Sequence, residues 1–380
     1  MLGLKNYEFI LSYKLAILRL STKIIRKDYT VKIPAIDKKY NIYRLAEELK
    51  FPERRIIDFS NPSNPLGISR KIKAELRKNL KYLHNYPDPD ASRLRKRLSQ
   101  YLGINPEMLI FNNSSFEFIY FLFLTLKPSQ SIITLPNHPE YENISRICAI
   151  PSSFIEINKN IDLLYNHSIV KSSIIIISNP NYPSGLLLNK DIIIKLADTA
   201  RENNCFLIID EAFMDFCQNA ESVISYVKNN KNLCVLRTFS YFYCLAGLRA
   251  GYAVIHPEVM DKLKLFRNFL IINHLAQRAA VIAIKDKIYK KESYLFLEKE
   301  KIFFEKAFTK LGLDFLPSNT NYYLIKSNNA EEIYIKLMNN GILTGTCLEY
   351  KSLGNNFLRI AVKSHRENSM LIKELQRILG

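Results

Sequence analysis

Apolar and polar residues follow two rhythms along the middle of the chain. Short runs that are apolar almost throughout recur at 109–111, 132–135, 154–157, 174–178, 206–209 and 233–236. Runs of this length, rich in Ile, Leu, Val and Phe, predict strands buried on both faces, as a parallel sheet requires. A further run at 251–255 follows so closely on 233–236 that it can return antiparallel. Between the runs lie longer stretches such as 190–203, whose apolar residues recur three or four apart and predict helices. The alternation predicts a doubly wound α/β domain with ligand chemistry at the carboxyl ends of its strands. From 257 a long helix-like run leads into a mixed α and β tail, which ends in a strand-like segment at 357–362 and a final helix. The tail predicts a second, smaller domain, since the chain is longer than one hydrophobic core usually serves.

Two other apolar stretches are too short or too broken to cross a bilayer. Residues 116–126 are almost wholly apolar, but a span needs about 20 such residues, so the stretch predicts a buried helix. The N-terminal stretch to Lys27 mixes Tyr7, Phe9, Leu11, Leu15 and Leu18 with Lys5, Lys14 and Arg19, and has no cleavage site of small residues. It is a poor signal peptide. It reads as an amphipathic helix docked on the protein, with a membrane-surface helix as the second reading.

Composition changes this picture little. Hydrophobic residues make 48% and charged residues 24% of the 380, the proportions of an ordinary folded chain. A net charge of +18 would suit a polyanionic partner. Ile, Lys and Asn crowd the whole sequence, however, and no arginine-rich tract accompanies the charge. The charge therefore reads as a compositional bias spread over the surface, and nucleic acid is not an expected partner. Cys148, Cys205, Cys217, Cys234, Cys244 and Cys347 form no C-x-x-C pair, and none stands beside a histidine at metal-ligand spacing. No metal is expected, and free thiols in apolar runs fit a reducing cytoplasm.

Chemistry-bearing residues concentrate in a few segments. Arg237-Thr238-Phe239-Ser240-Tyr241-Phe242-Tyr243, followed by Arg249, carries two hydroxyls and a guanidinium of the kind that can donate to a phosphate if the fold brings them together. Ser114 and Ser115 stand where a strand gives way to a helix, where they either join an anion site or merely cap the helix. Asp210, in Asp210-Glu211-Ala212-Phe213-Met214-Asp215-Phe216, ends a strand. A buried carboxylate there calls for a cationic partner, unless it caps local backbone. Other segments are Asp58-Phe59-Ser60-Asn61-Pro62-Ser63-Asn64-Pro65-Leu66-Gly67, Tyr86-Pro87-Asp88, Pro136-Asn137-His138-Pro139-Glu140-Tyr141, Asn179-Pro180-Asn181-Tyr182-Pro183-Ser184-Gly185 and Leu358-Arg359-Ile360-Ala361-Val362.

Taken in order, over roughly residues 38 to 380, these segments resemble the fold-type I aminotransferase family of pyridoxal-phosphate enzymes. Within it they are most similar to threonine-phosphate decarboxylases and histidinol-phosphate aminotransferases, with Phe213 and Phe242-Tyr243 favouring the decarboxylase branch. The resemblance implies a large, doubly wound, mostly parallel seven-stranded sheet domain at 71–268 and a smaller α+β domain at 269–380. Residues 38–70 would be an N-terminal arm of the smaller domain and 1–37 an extension. It also implies pyridoxal phosphate or pyridoxamine phosphate as cofactor. Asp210 would bond the protonated ring nitrogen, His138 would stack on the ring and Tyr182 would stand at its phenolic oxygen. Ser114, Ser115, Thr238, Ser240 and Arg249 would hold the phosphate, and Tyr86 would reach that of a neighbouring subunit. A homodimer, or a heterodimer with a related chain, follows. Arg359 would hold a substrate carboxylate, unless it is merely solvated, and Asn64 would meet the substrate.

Departures from the family fall at the same site. Tyr241 stands where the family carries its Schiff-base lysine, and no lysine occurs from 232 to 261. A phenol forms no imine, so the cofactor, if bound, would be held noncovalently. Tyr182 replaces an asparagine, His138 replaces another aromatic residue and can titrate near neutral pH, and Asn112-Asn113-Ser114-Ser115-Phe116-Glu117 lacks the family's two glycines. Lys38-Lys39-Tyr40 and Pro62 differ where the family meets substrate phosphate. Three readings follow. The first is a repurposed catalytic or ligand-binding site for a phosphorylated or amino-acid-like small molecule, with Tyr241 or His138 as acid or base. The second is an inactive pseudoenzyme serving as a binding or heterodimer partner. The third is a pyridoxal-phosphate-dependent decarboxylase or aminotransferase. Persistence of Asp210, Ser240 and Arg249 favours the first.

Overall fold

The structure, a computed structural model, describes residues 42–157, 171–269 and 271–380. After a short first strand, β1 (Ile57–Asp58), seven strands build one large sheet. They are β2 (Leu109–Asn112), β3 (Ser131–Leu135), β4 (Ser152–Glu156), β5 (Ile174–Ser178), β6 (Phe206–Asp210), β7 (Leu233–Thr238) and β8 (Gly251–Ile255). Their order is β2-β8-β7-β6-β5-β3-β4. Neighbours are parallel except at β8, which runs antiparallel to both β7 and β2. The sheet is thus the mostly parallel, helix-covered one that the apolar runs predict.

Both faces of the sheet are covered, which explains why its strands show no polar alternation. On β5, Ile174 and Ile176 pack with Phe118 and Leu122 of helix Ser115–Leu126. Ile175 and Ile177 point the other way and pack with Ile193 and Leu196 of helix Lys190–Glu202. Each such side chain contributes roughly 1.5–3 kcal/mol on leaving water. The run at 116–126 is therefore a buried helix of the core, as its length predicts. Among the described residues no helix is long and apolar enough to cross a membrane.

The C-terminal part adds β9 (Asp314–Phe315), β10 (Tyr322–Lys326), β11 (Ile342–Leu343), β12 (Gly345–Thr346) and β13 (Phe357–Ala361). Four of these form an antiparallel sheet in the order β12-β13-β10-β9. Strand β11 pairs instead with β1, parallel, with Ile57 opposite Ile342. The helix-like run from 257 is three helices, Pro257–Leu263, His274–Ala283 and Lys287–Lys310. The last two each start on a side-chain cap. Asn273 accepts from the Ala276 amide and Asp286 from the Tyr289 amide, so the apolar period continues while the backbone restarts. The N-terminal stretch to Lys27 and the Lys38-Lys39-Tyr40 segment lie outside the described residues.

Candidate ligand-binding site

The sheet gathers the chemistry-bearing segments at one edge. Strands β2, β3, β5, β6 and β7 lead at their carboxyl ends into the segments of Ser114, His138, Tyr182, Asp210 and Thr238. Arg249 precedes β8, whose first residue Gly251 pairs with Thr238 at the same edge. A cavity of about 120 Å³ there is lined by Ser114, Ser115, His138, Tyr182, Asp210, Thr238, Ser240, Tyr241 and Arg249, together with Tyr141, Ser178 and Phe213.

Part of this lining is polar. Ser114 caps helix Ser115–Leu126, its Oγ accepting from the Phe116 amide at 3.3 Å, so the first turn of that helix faces the cavity. Thr238 Oγ1 donates to Ser240 Oγ at 2.9 Å and accepts from the Ser240 amide at 3.1 Å. Asp210 is buried, and its Oδ2 accepts from the Tyr141 hydroxyl at 2.7 Å while Oδ1 accepts from the Ala212 amide at 3.0 Å. The nearby buried Arg237 is already engaged by Glu211 at 2.8 Å and Asp215 at 3.4 Å. Burial pushes the Asp210 carboxyl up to about 6; the two donors pull it down and the neighbouring Glu211 adds to the rise.

The rest of the lining is a wall of rings. His138 stacks on Tyr182 with centroids 5.7 Å apart, Tyr182 on Phe213 at 5.4 Å, and Phe213 on Tyr241 at 4.4 Å. Burial, and then the Asp210 charge, push the Tyr241 phenol up to about 12, with Arg249 opposing. Tyr241 therefore keeps its proton at neutral pH. Burial, and then Arg359, bring the His138 imidazole down to about 4. It stays neutral and does not titrate near pH 7, unlike an unperturbed histidine. Its Nδ1 accepts from the Glu140 amide at 3.2 Å, which assigns the ring proton to Nε2.

Asn64 and Arg359, both expected at the site, do not line this cavity, while Tyr86 is expected at that of a neighbouring subunit. Tyr86 is 98% exposed. Asn64 is buried and engaged on all sides: its Nδ2 donates to the Phe242 carbonyl at 3.1 Å and to Ser293 Oγ at 2.8 Å, and its Oδ1 accepts from the Leu66 amide. Its own amide donates to the Tyr241 carbonyl at 3.0 Å, so Asn64 fixes the turn that carries Tyr241. Arg359 is buried rather than solvated. Its Nη1 donates to the Tyr350 hydroxyl at 3.2 Å, its Nη2 to the Ser60 carbonyl, and its Cζ lies 4.6 Å from the Tyr182 ring centroid.

Residues 54–375 match the family described as aminotransferase class I and II. The chain belongs to that family. It is 31% identical to the histidinol-phosphate aminotransferase of Caldanaerobacter subterraneus, over 79% of this chain and 86% of that protein. It is 28% identical to the threonine-phosphate decarboxylase of Salmonella typhimurium, over 89% and 95% respectively. Among solved structures it is similar to the histidinol-phosphate aminotransferase of Clostridium acetobutylicum, with a TM-score of 0.78, 27% identity, and coverage of 85% of this chain and 99% of that one. A fold of the same kind, 20% identical with a TM-score of 0.79, is the Sinorhizobium meliloti histidinol-phosphate aminotransferase in complex with pyridoxal-5'-phosphate, covering 89% of this chain and 94% of that one.

Members of this aminotransferase family depend on pyridoxal phosphate, and the donor chemistry of the cavity fits that group. A buried carboxylate suits a protonated ring nitrogen, and hydroxyls, a guanidinium and a helix N-terminus suit a phosphate. Among the described residues that line the cavity there is no lysine. Sequence reasoning assigned no role to Tyr141, the hydrogen-bond partner of Asp210, although it stands three residues after His138 in a segment already singled out. Phe213 was read only as a mark of the decarboxylase branch, yet it joins the Tyr182 and Tyr241 rings. No sequence signal pointed to Tyr350 beside Arg359.

Proposed function

We propose that this chain binds a phosphorylated small molecule in the cavity without a covalent bond to it, and that Tyr241 stands in place of the family's lysine. Pyridoxal phosphate and pyridoxamine phosphate are the first ligands to consider. Asp210 carries the reading. It is a buried carboxylate with only a phenol and an amide for partners, and among the described residues no cation enters its electrostatic balance. A ligand with a positive charge would relieve it. Thr238, Ser240, Arg249 and the first-turn amides beyond Ser114 would hold the phosphate. When bound, pyridoxal phosphate supplies a reactive carbonyl and an electron-withdrawing ring. Tyr241 would act beside it as a proton donor, since its phenol stays protonated, and His138 would present a neutral ring face. The names of the relatives support a phosphorylated ligand, and six free cysteines support a reducing, cytoplasmic setting. Titration with pyridoxal phosphate and pyridoxamine phosphate should give saturable binding, and borohydride should leave no pyridoxyl group on the protein. A reduced adduct on a lysine, found by mass spectrometry, would overturn the assignment of Tyr241.

A second reading, an inactive partner of a second copy or a related chain, is favoured by one surface. Tyr86 is 98% exposed, with Leu83 at 57% and Tyr82 at 40% on the same stretch. Adjacent exposed apolar side chains of this kind support an interface with another subunit. Sedimentation at micromolar concentration should show a dimer, and a strictly monomeric species would remove this reading.

A further inference from the structure

One face of the small antiparallel sheet borders a second cavity. Lys326 of β10 stands opposite Asp314 of β9 on one side and opposite Phe357 of β13 on the other. Residues directly opposite in a ladder share a face, and so do residues two apart along a strand. Leu324 and Leu316 therefore belong to the same face, the Leu316 amide donating to the Leu324 carbonyl at 3.0 Å. These five residues line a cavity of about 330 Å³ between the small sheet and the large one. The large sheet contributes Leu135 and Pro136 at the end of β3 and Glu156 at the end of β4. Among the described residues, none lines both this cavity and the one that holds Asp210 and Tyr241.

The two cavities nevertheless share a partition. Pro136 precedes His138 by two residues, and Ser184, also in the lining of the second cavity, follows Tyr182 by two. Asn181 welds these segments together. Its Nδ2 donates to the Pro136 carbonyl at 2.9 Å, its Oδ1 accepts from Ser184 Oγ at 2.6 Å, and its carbonyl accepts from the Tyr322 hydroxyl at 2.9 Å. One side of the partition carries the ring wall, and the other side faces the second cavity.

The lining of the second cavity suits an amphiphile. Leu135, Leu324, Leu353 and Phe357 give it an apolar floor. Asp314 and Lys326 bring opposite charges, both exposed and directly in register, yet among the described residues neither closes an ion pair. Glu156 adds a second carboxylate from the large sheet. The cavity is of the size that small-molecule sites begin at, roughly 300 Å³. We propose that it is a second ligand site, made for an apolar α-amino acid bound as its zwitterion. The side chain would lie on the leucine floor, the ammonium would meet Asp314 and Glu156, and the carboxylate would meet Lys326. Such a ligand would brace Pro136 and Ser184, and through Asn181 the His138 and Tyr182 rings. The site stands whatever the first cavity binds.

The test titrates the full chain, by calorimetry, with L-phenylalanine, 2-phenylethylamine and 3-phenylpropionate. The three share one phenyl group and carry both charges, the ammonium alone and the carboxylate alone. Phenylalanine should bind about threefold to fivefold more tightly than phenylethylamine, the scale of one solvent-exposed ion pair. Phenylpropionate should bind most weakly, because two carboxylates and one ammonium face it. Lys326→Gln should bring phenylalanine and phenylethylamine level, and Asp314→Asn should narrow the gap between phenylalanine and phenylpropionate. Both side chains are exposed, so the variants should keep the thermal unfolding midpoint of the unaltered protein. Leu353→Trp, which fills the cavity, should abolish phenylalanine binding. A preference for phenylalanine that survives Lys326→Gln would place the amino acid elsewhere and overturn the inference. Equal affinity for all three probes, or no saturation by any of them at millimolar concentration, would overturn it as well and leave an interdomain crevice filled by water.

Discussion

The polar lining and the ring wall of the cavity lie on the same sheet edge and differ in what they offer a ligand. Thr238, Ser240, Arg249 and Asp210 offer hydroxyls, a guanidinium and a carboxylate. The wall beside them, His138, Tyr182, Phe213 and Tyr241, offers ring faces in one stack. The contrast separates two demands on one site. Holding an anion and a cation depends on a few short polar groups at strand ends, which tolerate change beside them. Covalent chemistry and substrate selection depend on what fills the remaining space, and four stacked rings fill it here.

The sharpest way to break this contrast is to return the amine. Tyr241→Lys should change the outcome of borohydride treatment with pyridoxal phosphate from no adduct to near-complete labelling of residue 241, because the polar lining offers hydroxyl and guanidinium donors to a phosphate and the Asp210 carboxylate to a ring nitrogen. Threonine-phosphate decarboxylation should remain at least about 100-fold below that of an ordinary family member, the cost of misplacing reacting groups by about 1 Å. A variant that decarboxylates at the ordinary rate would show that the ring wall is neutral, and the two regions would no longer differ in kind.

A smaller effect sharpens the other side. The Asp210 carboxyl is raised from 3.8 to about 6, so the folded protein holds its proton more tightly than the unfolded chain. The stability this group lends is complete below about pH 4 and is lost as pH rises through about 6, by at most about 3 kcal/mol. Asp210→Asn should remove that dependence and raise the midpoint of thermal unfolding at pH 7, while weakening pyridoxamine phosphate by roughly tenfold. In the unaltered protein, binding should strengthen as pH rises through about 6. Melting curves and titrations from pH 5 to 8 would settle both. A variant whose stability and affinity fall together would show that Asp210 is a structural cap and not a ligand group.

Sequence reasoning recovered the frame and the polar lining for a shared reason. Strands buried on both faces announce themselves as unbroken apolar runs, and Thr238, Ser240 and Arg249 lie within one short segment whose spacing is local. The ring wall was not legible, because its stack joins loops after four different strands. Nothing near Tyr182 in the sequence reveals that Phe213 and Tyr241 will lie on one side of it and Arg359 over it. The low imidazole value of His138 has the same origin: it depends on burial and on an arginine 221 positions away in the chain, which only the packed structure brings near. The helical run from 257 misled differently. Its apolar period is real, but Asn273 and Asp286 restart the backbone without disturbing it.

The pairing of β1 with β11 bears on how the chain reaches this structure. Ile57 finds its partner only at Ile342, so this segment must wait for one synthesised 285 residues later. Contacts of such long sequence separation form slowly, and until they form both strand edges stay open to other chains. The large sheet needs no residue beyond Ile255 for its own pairing, so it can assemble while synthesis continues. A nascent chain would then carry a nearly finished cavity edge before Tyr350 and Arg359 exist to meet Tyr182, and the backing of the ring wall would be made after its polar lining.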